Sequence, residues 1–165
     1  MSVNHDELIA FENALAQLKD DTPEIMDRLV VGEGRYARDQ ARKICKEEWI
    51  VNTGNYRKNF KSGTKAIRAG TAYKIDVYNN VEYAKPLEYG FRSHFVPGHW
   101  DGSSFVYQKN DPEGGMYVGP RGGFVRGHFT LRRAIKRTKD TQNARLERKY
   151  REELRARGLG EYMDL

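Results

Sequence analysis

The residues of this chain that could do chemistry are four histidines, one cysteine, two glycine clusters and a few close acid pairs. His94 and His99 stand five apart on a segment interrupted by Gly and Pro, with Asp101 the nearest acid. That is not the helical i, i+4 spacing that brings two imidazoles onto one zinc ion, so solvated or interface histidines are expected in place of a metal site. Cys45 falls on the apolar stripe of a helical pattern with no histidine close in sequence, and a buried small hydrophobe is expected there, not a nucleophile. A single cysteine allows no internal disulfide and no Cys-based zinc site, which fits synthesis in a reducing cytosol. Gly32-Glu33-Gly34 is too short for a dinucleotide fingerprint, and Gly119-Pro120-Arg121-Gly122-Gly123 lacks the Gly-Lys-Ser/Thr that would hold phosphate and magnesium. Glu47-Glu48 and Glu152-Glu153 are neighbours on helical patterns and point apart, which does not suit concerted acid/base work. No catalytic residue, metal ligand or cofactor site is expected.

Basic residues are the other chemical resource. Arg132, Arg133, Lys136, Arg137 and Lys139 lie within about two helical turns. They suit a solvated face, acidic patches of a neighbouring subunit, or a DNA backbone, since phosphate binding needs only such an array. Charge is also uneven along the chain. Met1 to Glu24 carries six acids against Lys19, a net of −5, whereas Arg126 to Arg157 carries twelve Lys/Arg against four acids, a net of +8. Ends of opposite sign can steer a nucleic acid or let identical subunits meet end against end.

The elements that must position these groups follow from hydrophobic spacing. Leu8, Phe11, Leu15 and Leu18 make an amphipathic helix that Asp20-Asp21-Thr22-Pro23 should break. A second helical pattern runs from Pro23 until Gly32 and Gly34 interrupt it. A third runs from Arg35 to Ile50, with Ala37, Ala41, Ile44, Cys45 and Trp49 on one stripe. Gly54 then supplies a positive φ where the helix ends and the chain turns into a sheet. Tyr73, Ile75 and Val77 alternate with polar neighbours, Asn79-Asn80 offers a hairpin turn, and Pro86 stops the returning strand begun at Val81. With Lys65 to Ala69 on its other side, a three-stranded antiparallel meander is predicted.

The chain then changes character. Gly90 to Gly127 holds nine of the sixteen glycines and three of the five prolines, yet also seven aromatic residues from Phe91 to Phe124. Short strands are predicted around Ser104 to Tyr107 and Met116 to Val118. Phe95, Trp100, Phe105, Tyr107, Tyr117 and Phe124 are the expected contact surface for assembly, because loops of this length are functional or disordered and disordered ones are not so aromatic. Helix returns from His128, with Leu131, Ala134, Ile135 and Thr138 on one face, and ends at Gly158.

The expected class is therefore α+β: an antiparallel sheet, a meander of three or more strands, packed by amphipathic helices, with a Gly/aromatic-rich excursion and a long basic C-terminal helix. At 165 residues a single domain over 1–165 is expected, with N-terminal helices over 1–31, a helix plus β-meander core over 35–90, the excursion over 91–127 and the last helix over 128–158. Leu, Ile, Val and Phe together make about a fifth of the chain, so the core is thin and some segments need a partner to complete their burial. No apolar run approaches the ~18 residues of a membrane span, and an acidic start predicts no secretory signal.

Four short segments carry a resemblance. Thr53-Gly54-Asn55-Tyr56-Arg57, Asn79-Asn80-Val81-Glu82-Tyr83-Ala84, Leu87-Glu88-Tyr89-Gly90 and Phe129-Thr130-Leu131-Arg132-Arg133-Ala134, in this order, resemble the minor structural proteins of the neck and tail of long-tailed double-stranded DNA phages, over about residues 35 to 150. The resemblance implies a virion protein without catalysis or cofactor that joins or completes the tail at the head connector. It implies a ring of copies, a hexamer ahead of a dodecamer. Head-closure or connector proteins and tail-terminator or tail-tube proteins would be its neighbours, packaged DNA a non-specific contact, and the host bacterial cytoplasm its place of synthesis, with no membrane partner. Gly54, Asn79, Asn80 and Gly90 would be its structural positions. The 38 residues from Gly90 to Gly127 are longer than short members of the family carry at this point. The competing class is a DNA-binding protein using the basic helix as its reader; a nuclease-like enzyme is disfavoured by the lack of an acid or histidine cluster.

Overall fold

In the computed structural model, which describes residues 5–50, 54–111 and 114–160, one helix, α1 (His5–Glu47), takes up the whole N-terminal region. The breaks expected at Asp20–Pro23 and at Gly32–Gly34 do not occur. Pro23 lies inside α1, where it leaves the Lys19 carbonyl without its helical donor, and the Thr22 hydroxyl before it donates to the Leu18 carbonyl at 2.7 Å. The two glycines are packing positions and not interruptions. A Cβ on Gly34 would stand 2.8 Å from Ile75, and one on Gly32 equally close to the Lys149 ammonium, so the helix keeps its bonds and gives up side chains where neighbours press.

The backbone divides into two compact units, Met1–Asn80 with Leu131–Leu165, and Val81–Thr130. In the first, α1 is followed by α2 (Asn55–Lys58) and four short strands, β1 (Phe60–Ser62), β2 (Ile67–Ala69), β3 (Ala72–Lys74) and β4 (Val77–Asn79). β2 pairs antiparallel with β3 through a turn at Gly70, as the alternation predicts. β4 departs from the expected meander, since it pairs back to β1 with Asn79 opposite Phe60, and Val81 onward is not a returning strand. The amide of Asn79 instead donates to the Tyr56 carbonyl at 2.7 Å, so this asparagine anchors β4 and does not turn a hairpin. The core of this unit is Ile25, Leu29, Ala37, Ala41, Ile44 and Cys45 of α1 against Tyr56 and Phe60, closed by Ala134 and Leu159 from the C-terminal segment. The long basic helix α4 (Thr130–Arg155) completes the unit.

Two left-handed residues frame the link after α1. Trp49, expected on the buried stripe, has φ 52° beyond the helix end and is 88% exposed. Gly54 has φ 76° and stands as the N-cap of α2, so the left-handed residue closing α1 is the tryptophan. Thr53 lies outside the described residues.

The second unit holds α3 (Ala84–Tyr89), β5 (Gly90–Arg92), β6 (His94–Asp101), β7 (Ser104–Tyr107), β8 (Gly115–Val118) and β9 (Phe124–Arg126). Pro86, expected to stop a strand, sits in the first turn of α3, where its missing N–H is tolerated. Gly90 ends α3 with φ 88°, and a Cβ there would run into the Phe124 ring at 2.7 Å, so only glycine lets β5 lie against β9. β6 is the centre of a three-stranded antiparallel sheet in the order β7-β6-β8. The α+β class thus holds, with antiparallel sheets of two and three strands.

Candidate assembly surfaces

Strand periodicity places the aromatic residues of the second unit in cross-strand pairs. Phe95 is opposite Tyr117 and Trp100 is opposite Phe105, each pair meeting edge to face with ring centroids 5.4 Å apart. Because side chains alternate along β6, Phe95 and Trp100 point to opposite faces, so both sides of one sheet carry an aromatic pair. Nothing within the unit buries them. Phe95, Trp100, Tyr107, Tyr117 and Phe124 are each between 45 and 63% exposed, and Phe105 is half-buried. Among the described residues, no apolar side chain of Val81–Thr130 is buried. The Arg121 guanidinium lies 4.7 Å over the Tyr117 ring and gives that edge a cation.

The basic helix is more occupied than its sequence suggests. α1 and α4 are joined by ion pairs in antiparallel order: Arg157 to Asp21, Glu153 to Arg28, Arg145 to Glu33, Arg137 to Glu47 and Arg133 to Glu48. Glu33 and Arg145 are the buried pair, bonded in a fork at 3.0 and 2.6 Å, with the same guanidinium donating to the Thr138 carbonyl and lying 3.7 Å over the Tyr36 ring. The hydrogen bond from Arg145 to Glu33 raises the arginine above its ordinary value against the opposing cost of burial. Glu153 accepts from Arg157 and from Arg28, which hold its carboxyl below the usual carboxylate range. Of the five residues singled out in sequence, Arg133 and Arg137 are in these pairs, Lys136 bonds Asp140 on its own helix at 2.8 Å, and Arg132 and Lys139 are exposed.

His99 and Asp111 meet at 2.5 Å and His94 faces the Arg92 carbonyl. The described residues contain no group of three or more His, Cys, Asp or Glu that could hold a metal ion, and no helix among them is long and apolar enough to cross a membrane. Cys45 is buried in the α1 core.

The described residues form long helices and small antiparallel sheets with several large aromatic side chains left exposed. Residues 9–90, about half of the chain, belong to the phage family described as "Bacteriophage HK97-gp10, putative tail-component". The chain therefore has a structural role as a phage tail component. The matched region begins earlier than the segment resembling the family in sequence and stops at Gly90, leaving the Phe129–Ala134 motif and the aromatic sheet outside it. No curated protein and no solved structure matches the chain.

Proposed function

We propose that this protein is a non-enzymatic subunit of the phage neck or tail top, acting as a ring that joins or completes the tail at the head connector, with the DNA path through the ring. One observation carries the reading: the β7-β6-β8 sheet has aromatic pairs on both faces and, among the described residues, its unit has no buried apolar side chain, which is the state of a surface whose burial is completed by neighbours. Leu8, Ile9 and Leu15 along the first turns of α1 are exposed as well and offer a second apolar contact. Copies of the chain, six ahead of twelve, are the first partners, and head-closure or connector proteins and tail-terminator or tail-tube proteins lie on either side. A DNA-reading role for α4 is the weaker reading, because Arg137 and Arg145 are bonded to carboxylates of α1 and Arg133 to Glu48 just beyond its end.

The test is a phage carrying Phe95→Ser, Trp100→Ser and Tyr107→Ser together. Micrographs should show separate full heads and tails, and the purified triple variant should sediment as a monomer where the parent forms a ring. Normal joined particles from the variant would overturn the proposal.

A further inference from the structure

Whereas Arg133, Arg137, Arg145 and Arg151 of α4 are held by carboxylates within the chain, another group of cations in the same unit faces almost none. Asp39, Arg42, Lys43 and Lys46 of α1 and Arg57 and Lys58 of α2 line an open groove of about 490 Å³. Five cations face one carboxylate there. Asp39 is already held by Arg38 at 2.8 and 3.1 Å, so little of its charge is left for the groove. Lys43 reaches Glu47 only at 3.8 Å, and Glu47 also accepts from Arg137 at 3.0 Å. Arg42 donates to the carbonyls of Lys58 and Phe60, which fixes α2 against α1, and its ion pair with Asp39 is long at 3.9 Å. Its Nε is buried with no hydrogen-bond partner among the described residues. Lys46, Arg57 and Lys58 have no ion pair among the described residues. The negative end of the α1 dipole accounts for Lys46 in its last turn, but not for two further cations brought in by another helix.

We propose that this groove binds the phosphate backbone of double-stranded DNA without sequence preference. An open row of lysines and arginines on flexible stems displaces condensed counterions from a polyanion and needs no fixed cradle. Among the described residues the groove is lined by no aromatic side chain on which unpaired bases could stack, which favours duplex over single strand. It also has, among the described residues, no apolar anchor of the kind that centres a protein interface, which favours phosphates over an acidic partner protein. The inference does not depend on ring formation, because a lone subunit already contains every residue of the groove.

The experiment is fluorescence anisotropy of a labelled mixed-sequence duplex of about 20 base pairs with the full chain, at salt from about 50 to 200 mM. The parent should bind with a steep salt slope. Lys46→Gln, Arg57→Gln and Lys58→Gln together should weaken binding about tenfold or more and lower the slope by about 2–3, at an unchanged melting temperature. Arg57→Lys should retain binding, and Lys136→Gln with Lys139→Gln on α4 should change it less than about twofold. No binding by the parent, equal binding by the triple variant, a larger loss in the α4 variant, or equal competition by polyglutamate of matched charge would each overturn the proposal.

Discussion

Tyr56 with Phe60 and Trp100 with Phe105 are nearly the same aromatic contact, edge to face with centroids 4.9 and 5.4 Å apart, in two different settings. The first pair is buried, with Phe60 fully enclosed, because α1 lies over β1 and takes the rings into its core. The second has only its own sheet, and Trp100 keeps 58% of its surface in water. Ring geometry is therefore no measure of stabilisation: area removed from water is, and only the first unit has a helix in place to remove it. The difference also follows the family boundary, since Phe60 is inside the matched residues and Trp100 outside them.

The largest expected effect is at the enclosed ring. Phe60→Ala should cost about 3–5 kcal/mol in denaturant unfolding, and Trp100→Ala under about 1 kcal/mol in the isolated chain. Equal losses would break the contrast between the units. Next is the buried ion pair. Glu33→Gln leaves the Arg145 guanidinium without its counter-charge and should cost about 3 kcal/mol by the same measurement, with Glu33→Leu plus Arg145→Met recovering much of it. A smaller cost, about 1–3 kcal/mol, is expected for Gly98→Val, whose side chain would meet the Phe105 ring and a backbone φ of 147° that valine rarely adopts. Amide exchange should then quicken across β6 and β7 while α1 keeps its protection. Loss of protection in α1 to the same degree would refute the separation. Smallest is Glu153. Because its carboxyl is held below the ordinary range by Arg157 and Arg28, its stabilising contribution is present above the unfolded carboxylate pKa and is lost as pH falls through the folded value. Glu153→Gln should lower melting slightly near neutral pH and leave it unchanged at the acid end, so that the acid limb of a thermal-stability profile flattens; an identical acid limb would remove the assignment.

Much of this was legible in sequence, and the failures have physical reasons. Alternation found extended chain from Tyr73 to Tyr78, but as one strand where the structure has two, β3 and β4, separated at Ile75–Asp76 and paired in different sheets; the short strands β7 and β8 fall where they were expected. Breakers were misread. Pro23 and Gly34 are local signals, and their local cost was outweighed by the packing of α1 around Ile25 and Leu29 and by the Ile75 side chain that fills the space of the missing Cβ. The partner of β4 was hidden because Phe60–Ser62 is too short to show a period, and Asn79 carries the same composition whether it turns a hairpin or bonds Tyr56. For the basic helix, charge spacing identified the array but not its neutralisation. The pairs Arg133–Glu48 and Arg145–Glu33 join residues far apart in the chain, and no local pattern records which acids a folded helix will face.

Trp49 and Trp100 are the two tryptophans of the chain, one in each unit, and both stand mostly in water. The subunit thus carries an optical reporter in each half at no cost in labelling. Emission of the free chain should be red-shifted as for indole in water, and Trp49→Phe and Trp100→Phe variants separate the two signals. A blue shift confined to the Trp100 signal on mixing with virion neighbours would mark the aromatic sheet as the face that closes, and a shift confined to Trp49 would mark the link between α1 and α2 instead.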